Sequence, residues 1–264
     1  MEVEDQYAGR GPNFIWHVEG YDKLKPFGRV MWLEVSTSNN DPSFVARYFV
    51  DCVRQVGGTA RVVRADFGTE NTYIAAIQQF LRHDSTDSFS GENSFMYGKS
   101  TSNHRIESWW FHLRRGLTDW WINYFKELRE NGLYSDSNII HTECLRFCFM
   151  DLIRANLHQT AQLWNCHRIR PSRNENSPAG RPDLLCFLTG QADITDFKTE
   201  VAKDSANVQV CEDSLCTNLH QRNCQSEFSQ LASLIMSEKG LQMPQCHEEA
   251  KQLYVTILDE IEKL

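Results

Sequence analysis

The sequence predicts an α/β fold in which helices pack against a sheet. Two patterns support this fold class. Short segments rich in β-branched or aromatic residues end near glycines or turns, and between them apolar residues recur at helical spacing. Strands that alternate with helices are typical of α/β architectures. With 264 residues, 41% of them hydrophobic, the chain has enough material for a large core.

The predicted elements follow from these two periodicities. Four segments have the composition of strands, namely residues 13–19, 31–35, 61–66 and 95–98. Helical spacing of apolar residues predicts helices over residues 45–56, 74–81, 106–128, 144–157 and 247–264. We therefore expect a leader of residues 1–10, one α/β domain over 11–190, and a polar extension over 191–264 that ends in the last helix.

The net charge of −8 at pH 7 belongs mainly to the C-terminal part of the chain. Residues 191–264 hold 13 acidic and 6 basic side chains, a net charge of −7, which leaves −1 for the rest of the chain. Overall charge therefore gives no support for a general nucleic-acid binder. A balanced body can still carry a local basic groove for phosphates.

Cysteine usage and the chain termini bear on the compartment. The nine cysteines include no Cys-x-x-Cys pair, which favours a reducing environment. The start of the chain, Met1–Asp5, is acidic and precedes no apolar run, so no secretory signal is expected. The longest apolar stretches are too short to span a bilayer. These features predict a soluble intracellular protein without a membrane partner.

Three acidic residues occupy positions that suit a metal site. Glu19 ends the first predicted strand, Asp66 ends a later one, and Glu107 lies in the first turns of the predicted long helix. Their hard oxygen atoms suit magnesium or manganese in a phosphoryl-transfer site. From the pattern alone, solvated strand ends and a surface glutamate are the commoner explanation, because a chain with 35 acidic residues places some there by chance.

Three long sequence motifs contain these acidic residues: WHVEGYDKLKPFG (16–28), RADFGTEN (64–71) and GKSTSNHRIESWW (98–110). They resemble the integrase core of DDE transposases and retroviral-type integrases, and more closely the transposon-derived integrase-core proteins of animal genomes. The likeness continues in the family's order with LRR (113–115), DWWIN (119–123), ECLRFCF (143–149) and GRPD (180–183). The resemblance covers about residues 11–188 and is specific, because several long motifs occur in the same order as in the family.

The resemblance implies an RNase H-like domain, which is a mixed sheet flanked by helices. It implies that Glu19, Asp66 and Glu107 bind magnesium or manganese for DNA strand cleavage and transfer. Asn103, one helical turn before Glu107, would orient that carboxylate or contact a phosphate. Lys99 and Arg105 would contact the DNA backbone and position it.

DNA is accordingly the expected partner of the chain. A nuclear location follows only from this implied substrate, with the cytoplasm as the other possibility, because the sequence has no convincing basic import cluster. Integrases work as dimers or tetramers, so the resemblance admits a homo-oligomer.

The sequence departs from the family at its first strand in two ways. Glu19 occupies the position at which the family's motif has aspartate. The longer side chain moves the carboxylate, and misplacing a catalytic group by about 1 Å can lower a rate about a hundredfold. Family members also place another strand between Gly28 and the segment 29–35, whereas here only eleven residues link Gly20 to Trp32. We therefore expect the second strand to be missing or shortened.

Two functions from different classes remain open. The first is a DDE-type polynucleotidyl transferase or nuclease, which the ancestry of the domain favours. The second is a catalytically inactive, transposon-derived module that binds DNA or protein, which Glu19 and the shortened sheet favour.

A separate group of possible metal ligands lies in the acidic C-terminal part, namely Cys211, Cys216, His220 and Cys224. Their spacing matches a zinc knuckle poorly, because such a knuckle needs a tighter first spacing and looser later ones. Incidental thiols in a polar segment are the favoured interpretation, so zinc is not expected.

Overall fold

The structure is a computed structural model. It describes residues 11–19, 22–23, 29–30, 33–35, 41–98, 112–170, 179–187, 195–202, 205–215 and 223–263, and only the backbone of residues 19, 22 and 23. The chain forms two compact units, one of Met1–Glu34, Ser38–Arg105 and Ala161–Thr217, the other of Val35–Thr37, Ile106–Thr160 and Asn218–Leu264. Within the described ranges, no helix is long and apolar enough to cross a membrane.

The first unit is built on a four-stranded mixed sheet. Its strands and those of a second, two-stranded ribbon are β1 (Ile15–Glu19), β2 (Asp22–Lys23), β3 (Gly58–Thr59), β4 (Val62–Ala65), β5 (Phe95–Tyr97) and β6 (Thr199–Glu200). The sheet has the order β2-β1-β4-β5, in which β1, β4 and β5 are parallel and β2 is antiparallel to β1. β3 and β6 form the antiparallel ribbon.

Helices account for most of the other described residues. They are α1 (Pro42–Val56), α2 (Thr72–Leu81), α3 (Asp119–Glu130), α4 (Ile139–Cys166), α5 (Pro182–Phe187), α6 (Ala206–Ser214), α7 (Ser226–Lys239) and α8 (His247–Ile261). A π-helical turn, Arg114–Thr118, precedes α3. The α/β fold class is confirmed, and helices lie where the sequence predicts them over residues 45–56, 74–81, 144–157 and near 247–264.

The core of the first unit lies between the sheet and its helices. Alternate residues of the strands are buried in one cluster with the apolar faces of α1 and α2: Trp16, Val18, Val63, Ala65 and Phe95 from the sheet, with Phe49, Val53, Ile74 and Ile77 from the helices. Because side chains alternate across a strand, the residues between them lie on the opposite face of the sheet.

Local signals set the ends of α1. The Asp41 side chain accepts a hydrogen bond of 2.8 Å from the Ser43 backbone N–H, and Pro42 occupies the first turn, where a missing N–H is harmless. Gly57 ends the helix with a φ of 70°, a left-handed conformation that favours glycine. The chain then enters β3 directly.

The described residues of the predicted C-terminal extension contain further secondary structure besides the final helix. β6 pairs with β3, and the Glu212 carboxylate of α6 lies 2.6 Å from Arg54 and 3.4 Å from Arg47, both on α1. Helices α6 and α7 were not anticipated, because each buries only a few apolar side chains on an otherwise polar surface. The domain boundary predicted near residue 190 stays a prediction, and the compact units divide the chain elsewhere.

The second unit is helical. Its core combines residues of α3, α4, α7 and α8, including Trp121, Leu128, Phe149, Ile235 and Tyr254. The Tyr254 hydroxyl donates a hydrogen bond of 2.9 Å to the Leu133 carbonyl. Trp121 is only 6% exposed, so it is a core residue, whereas its neighbour Trp120 is 46% exposed.

The strand predicted at residues 31–35 is wrong for its described part. Residues 33–35 form no strand, and β2, which pairs with β1 at the sheet edge, is only two residues long. Just before this segment, the Asn165 side chain of α4 makes hydrogen bonds with the Val30 backbone of the kind that a neighbouring strand would make. Its Oδ1 accepts from the Val30 N–H and its Nδ2 donates to the Val30 carbonyl, each at 2.7 Å. Both backbone groups of this buried residue are thereby satisfied.

A buried arginine joins α2 to the ribbon and to the loop after α2. Arg82 is 1% exposed, and its guanidinium donates to both carboxylate oxygens of Asp87, at 2.8 and 2.7 Å, and to the Phe89 carbonyl at 3.2 Å. It also donates to the Thr199 hydroxyl of β6. A single side chain therefore holds three segments of the first unit together.

This cluster predicts a pH dependence of stability. Burial tends to raise the pKa of Asp87, but hydrogen bonds from Arg82 and the Phe89 N–H, with the charges of Arg82 and Arg61, outweigh it and lower the pKa below its ordinary 3.8. Asp87 therefore stabilises the fold above about pH 4, and this contribution is lost as the pH falls through the lowered value. We expect Asp87→Asn to flatten the acid limb of urea unfolding free energies measured from pH 7 to pH 3. An unchanged limb would contradict the prediction.

Candidate active site

The first two predicted site residues are neighbours at one end of the sheet. β1 and β4 are parallel, and Val18 lies opposite Ala65. Glu19, the last residue of β1, therefore lies across from Asp66, which comes directly after β4. The carboxyl ends of parallel strands meet at one edge, where α/β proteins commonly place their functional residues. The backbone therefore brings Glu19 and Asp66 together.

The carboxylate of Asp66 is held by the segment that leads into α2. Its Oδ1 accepts a hydrogen bond of 2.7 Å from the Asn71 side-chain amide and one of 3.3 Å from the Gly68 N–H. Asn71 is fully buried and immediately precedes α2, so its position is fixed by the helix. A carboxylate offers about four acceptor positions, so these bonds orient the group and leave capacity for a cation.

A nearly buried cation lies on β4, two residues before Asp66. Arg64 is 8% exposed, and its neighbours Val63 and Ala65 pack in the core with α1 and α2, so the Arg64 side chain lies on the opposite face of the sheet. The Arg64 guanidinium lies against Gly98, the residue after β5, where a Cβ atom would come within 2.3 Å of Nε. Glycine at this position therefore permits the close approach of the arginine.

Two exposed aromatic rings lie at the ends of β4 and β5. Phe67 follows Asp66 and is 74% exposed, and Tyr97, the last residue of β5, is 42% exposed. Their rings are stacked, with centroids 5.4 Å apart and planes 15° from parallel. They form an apolar surface at the strand ends.

The other predicted site residues cannot be placed. Glu107, Lys99, Asn103 and Arg105 lie outside the described residues, as does the side chain of Glu19. Within the described part, no three His, Cys, Asp or Glu side chains are grouped to hold a metal ion. The structure thus brings two of the three predicted acidic positions together and gives no position for the third.

Two of the four possible zinc ligands in the C-terminal part belong to different core clusters. Cys211 packs in the core cluster of the first unit and Cys224 in that of the second. Burial raises the pKa of each thiol to about 11, which disfavours the thiolate that a zinc ligand requires. Cys216 and His220 lie outside the described residues.

Sequence reasoning gave no role to Arg64 or Asn71. Both belong to the motif RADFGTEN, but nothing in their spacing distinguishes them from surface residues. The alternation of β4 places Arg64 on the sheet face opposite Val63 and Ala65, and that signal was available. The contact of Asn71 with Asp66 depends on the turn at Gly68 and was not.

Together, the mixed sheet and the acidic residues at neighbouring parallel strand ends define an α/β protein with a candidate carboxylate site at those strand ends. The family model for the integrase core domain matches residues 6–180, about two thirds of the chain. The chain therefore belongs to the integrase core domain family, and the resemblance predicted over residues 11–188 is confirmed. No curated protein and no solved structure gives a significant match. Integrase-like domains bind DNA and usually use divalent metal ions.

Proposed function

We propose that the chain is a DDE-type polynucleotidyl transferase domain of RNase H-like fold that cleaves and joins DNA strands. The observation that carries the proposal is the adjacency of Glu19 and Asp66 at the carboxyl ends of two parallel strands in an integrase core domain. The short β2 supports this fold, because it pairs antiparallel with β1 at the sheet edge, as the second strand of an RNase H-like sheet does.

The donor chemistry at this edge fits a divalent cation. Carboxylate oxygens are hard ligands of the kind that magnesium and manganese prefer. Glu19, Asp66 and Glu107 would hold the ion. When bound, it supplies Lewis-acid chemistry that activates the attacking oxygen and stabilises the leaving one.

The chain's own residues would position the reacting groups. Asn71 and the Gly68 N–H hold the Asp66 carboxylate in one orientation, which limits the reorganisation needed when DNA arrives. Lys99 and Arg105 would bind phosphates beside the scissile bond, and Asn103 would orient Glu107. DNA is then the partner, a nuclear location follows from that substrate, and assembly as a homo-oligomer is part of the proposal.

The second candidate is a binding module without catalysis. Two observations favour it: glutamate rather than aspartate at position 19, and a β2 strand of only two residues beside it. Under this alternative, the domain keeps its fold and binds DNA or protein, but it aligns no metal ion for phosphoryl transfer.

Thermal unfolding of the full chain with and without manganese tests the metal site. A ligand that binds only the folded state at about 100 times its Kd stabilises that state by about 2.7 kcal/mol. We therefore expect manganese to raise the unfolding temperature of the parent by several degrees, and EDTA to reverse the shift. Asp66→Asn should remove the shift while its unfolding without metal stays cooperative. An equal shift in parent and variant would contradict the assignment of Asp66.

A further inference from the structure

We propose that an aromatic and acidic surface of the helical second unit binds an arginine side chain in a basic segment of a partner protein. This α3–α8 surface consists of Trp120, Tyr124 and Glu127 on α3 with His247 and Glu248 on α8. The inference goes beyond the function proposed above, because it involves neither DNA nor a metal ion. It applies to an active enzyme and to a binding module alike.

Three rings form the aromatic part of the α3–α8 surface. Trp120 stacks on Tyr124, with centroids 5.2 Å apart and planes 10° from parallel. The His247 ring is nearly perpendicular to both, with centroid distances of 4.8 Å to Trp120 and 5.4 Å to Tyr124. The Tyr124 hydroxyl donates a hydrogen bond of 3.1 Å to the His247 carbonyl, which joins the two helices. These contacts hold Trp120 in place, although 46% of it is exposed, so a ligand meets a preorganised ring.

Carboxylates flank these rings. The Oε1 atom of the exposed Glu248 lies 2.8 Å from His247 Nε2. Glu127 comes seven residues after Trp120, about two helical turns, so it lies on the same face of α3. Burial and the negative charges of Glu248 and Glu127 raise the pKa of Tyr124 above its ordinary value, as expected for carboxylates near the ring.

The charge of the α3–α8 surface favours a cation. Glu249 adds a third carboxylate in the first turn of α8, and Lys251, one turn after His247, adds one positive charge. With the histidine neutral, three carboxylates and one ammonium group give a net charge of −2. Phosphate groups of a nucleic acid would be repelled here. A cation gains both the carboxylates and the face of an aromatic ring.

Two arginines in the first unit show which cation this chain combines with a ring and a carboxylate. Arg29 Cζ lies 4.6 Å from the centroid of the Phe187 ring, and its Nε lies 2.6 Å from the Asp183 carboxylate. Arg61 Cζ lies 5.0 Å from the centroid of the Phe197 ring, and an aspartate oxygen lies 3.7 Å from its Nε. In both places a guanidinium lies over the ring and pairs with the acid.

The α3–α8 surface has the ring and the acids of these two arrangements. In the part of the chain that the structure describes, no arginine or lysine lies over Trp120. A guanidinium is planar, so it can stack on the indole while its N–H groups donate to a carboxylate. An ammonium group has no such plane, and we therefore expect arginine to be preferred over lysine.

The test measures binding of the full chain to a fluorescein-labelled peptide of alternating arginine and glycine, by fluorescence anisotropy. The same peptide with citrulline in place of arginine has nearly the same shape without the charge. The variants are Trp120→Ala, Glu248→Gln and the control Phe187→Ala. Phe187 is also exposed, at 63%, but its ring is already covered by Arg29. Urea unfolding checks that each variant is folded.

We expect Trp120→Ala to weaken binding of the arginine peptide about three- to fivefold, the change for loss of one exposed cation–π contact. Glu248→Gln removes a single exposed charge and should weaken it about two- to threefold. Phe187→Ala should bind as the parent does. The citrulline peptide should bind the parent about tenfold more weakly than the arginine peptide, and Trp120→Ala should change its affinity little.

Equal affinity of the parent and Trp120→Ala for the arginine peptide would overturn the inference, as would an equal loss in Phe187→Ala. An equal effect of Trp120→Ala on the citrulline peptide would also contradict it, because the surface would then bind an apolar group. Two other occupants remain distinguishable. Single-stranded DNA that binds through Trp120, or self-association of the chain that Trp120→Ala abolishes, would assign the surface to a nucleic acid or to a second copy instead.

Discussion

Glu19→Asp should raise manganese-dependent nicking of DNA by about 10- to 100-fold over the parent chain. Aspartate is one methylene shorter, and displacement of a catalytic group by about 1 Å can change a rate about a hundredfold. Position 19 ends β1 directly beside Asp66, so a change in side-chain length there acts on the proposed metal site. The measurement is the initial rate of conversion of supercoiled plasmid to the nicked form, with manganese in excess.

The matched control combines Glu19→Asp with Asp66→Asn, which should return nicking to the level of a metal-free reaction. Nicking that survives this second substitution would come from another site or a contaminant. A Glu19→Asp variant that folds, shows the manganese shift and still does not nick DNA would support the binding module over the enzyme.

Arg82→Met should lower the free energy of unfolding of the first unit by about 1.5–3 kcal/mol. Arg82 is buried but the Asp87 side chain is 27% exposed, so the expected loss is that of hydrogen bonds to a charged group rather than that of a fully buried ion pair. The Arg82 side chain is 2% exposed and donates to Asp87, Phe89 and Thr199, so its loss loosens α2, the following loop and β6 together. Methionine keeps only the unbranched stem of the side chain, so the effect includes both the lost hydrogen bonds and the space that the guanidinium filled.

The chain offers a close control for this substitution. Arg114 and Asp119 are also an arginine and an aspartate five residues apart, with an Nε–Oδ1 distance of 3.0 Å, but their side chains are 73% and 44% exposed. Arg114→Met should change stability by less than about 1 kcal/mol, as is usual for a surface ion pair. Urea unfolding followed by circular dichroism compares the two variants, and losses of equal size would refute the role assigned to burial.

The fold class could be predicted because strand and helix periodicities alternate clearly before residue 166. Trp16, Val18, Val63 and Ala65 alternate as buried strand residues should, and α1 has both of its end signals in the sequence. Helices α6 and α7 were missed because their stability depends on tertiary contacts. α6, for example, is fixed by Glu212 with two arginines more than 150 residues earlier, which no local pattern reveals.

The candidate site could be predicted only as a set of residue types at strand ends. The parallel pairing of β1 and β4 places Glu19 beside Asp66, as the sequence led us to expect. Convergence with Glu107 stays a prediction, since that residue lies outside the described part. The contacts of Asp66 with Asn71, of Arg64 with Gly98 and of Phe67 with Tyr97 depend on turn geometry and on register between distant strands. Neither the turn geometry nor the register can be predicted from the residue types alone.

The pairing of Asn165 with the Val30 backbone makes one side chain responsible for two buried peptide groups. This carboxamide lies 135 residues further along the chain and satisfies both the N–H and the carbonyl of Val30. Aspartate at this position would have no donor for the carbonyl, and leucine would have neither donor nor acceptor, so either would leave a buried backbone group unsatisfied. Position 165 therefore tolerates few substitutions, although it belongs to no candidate site.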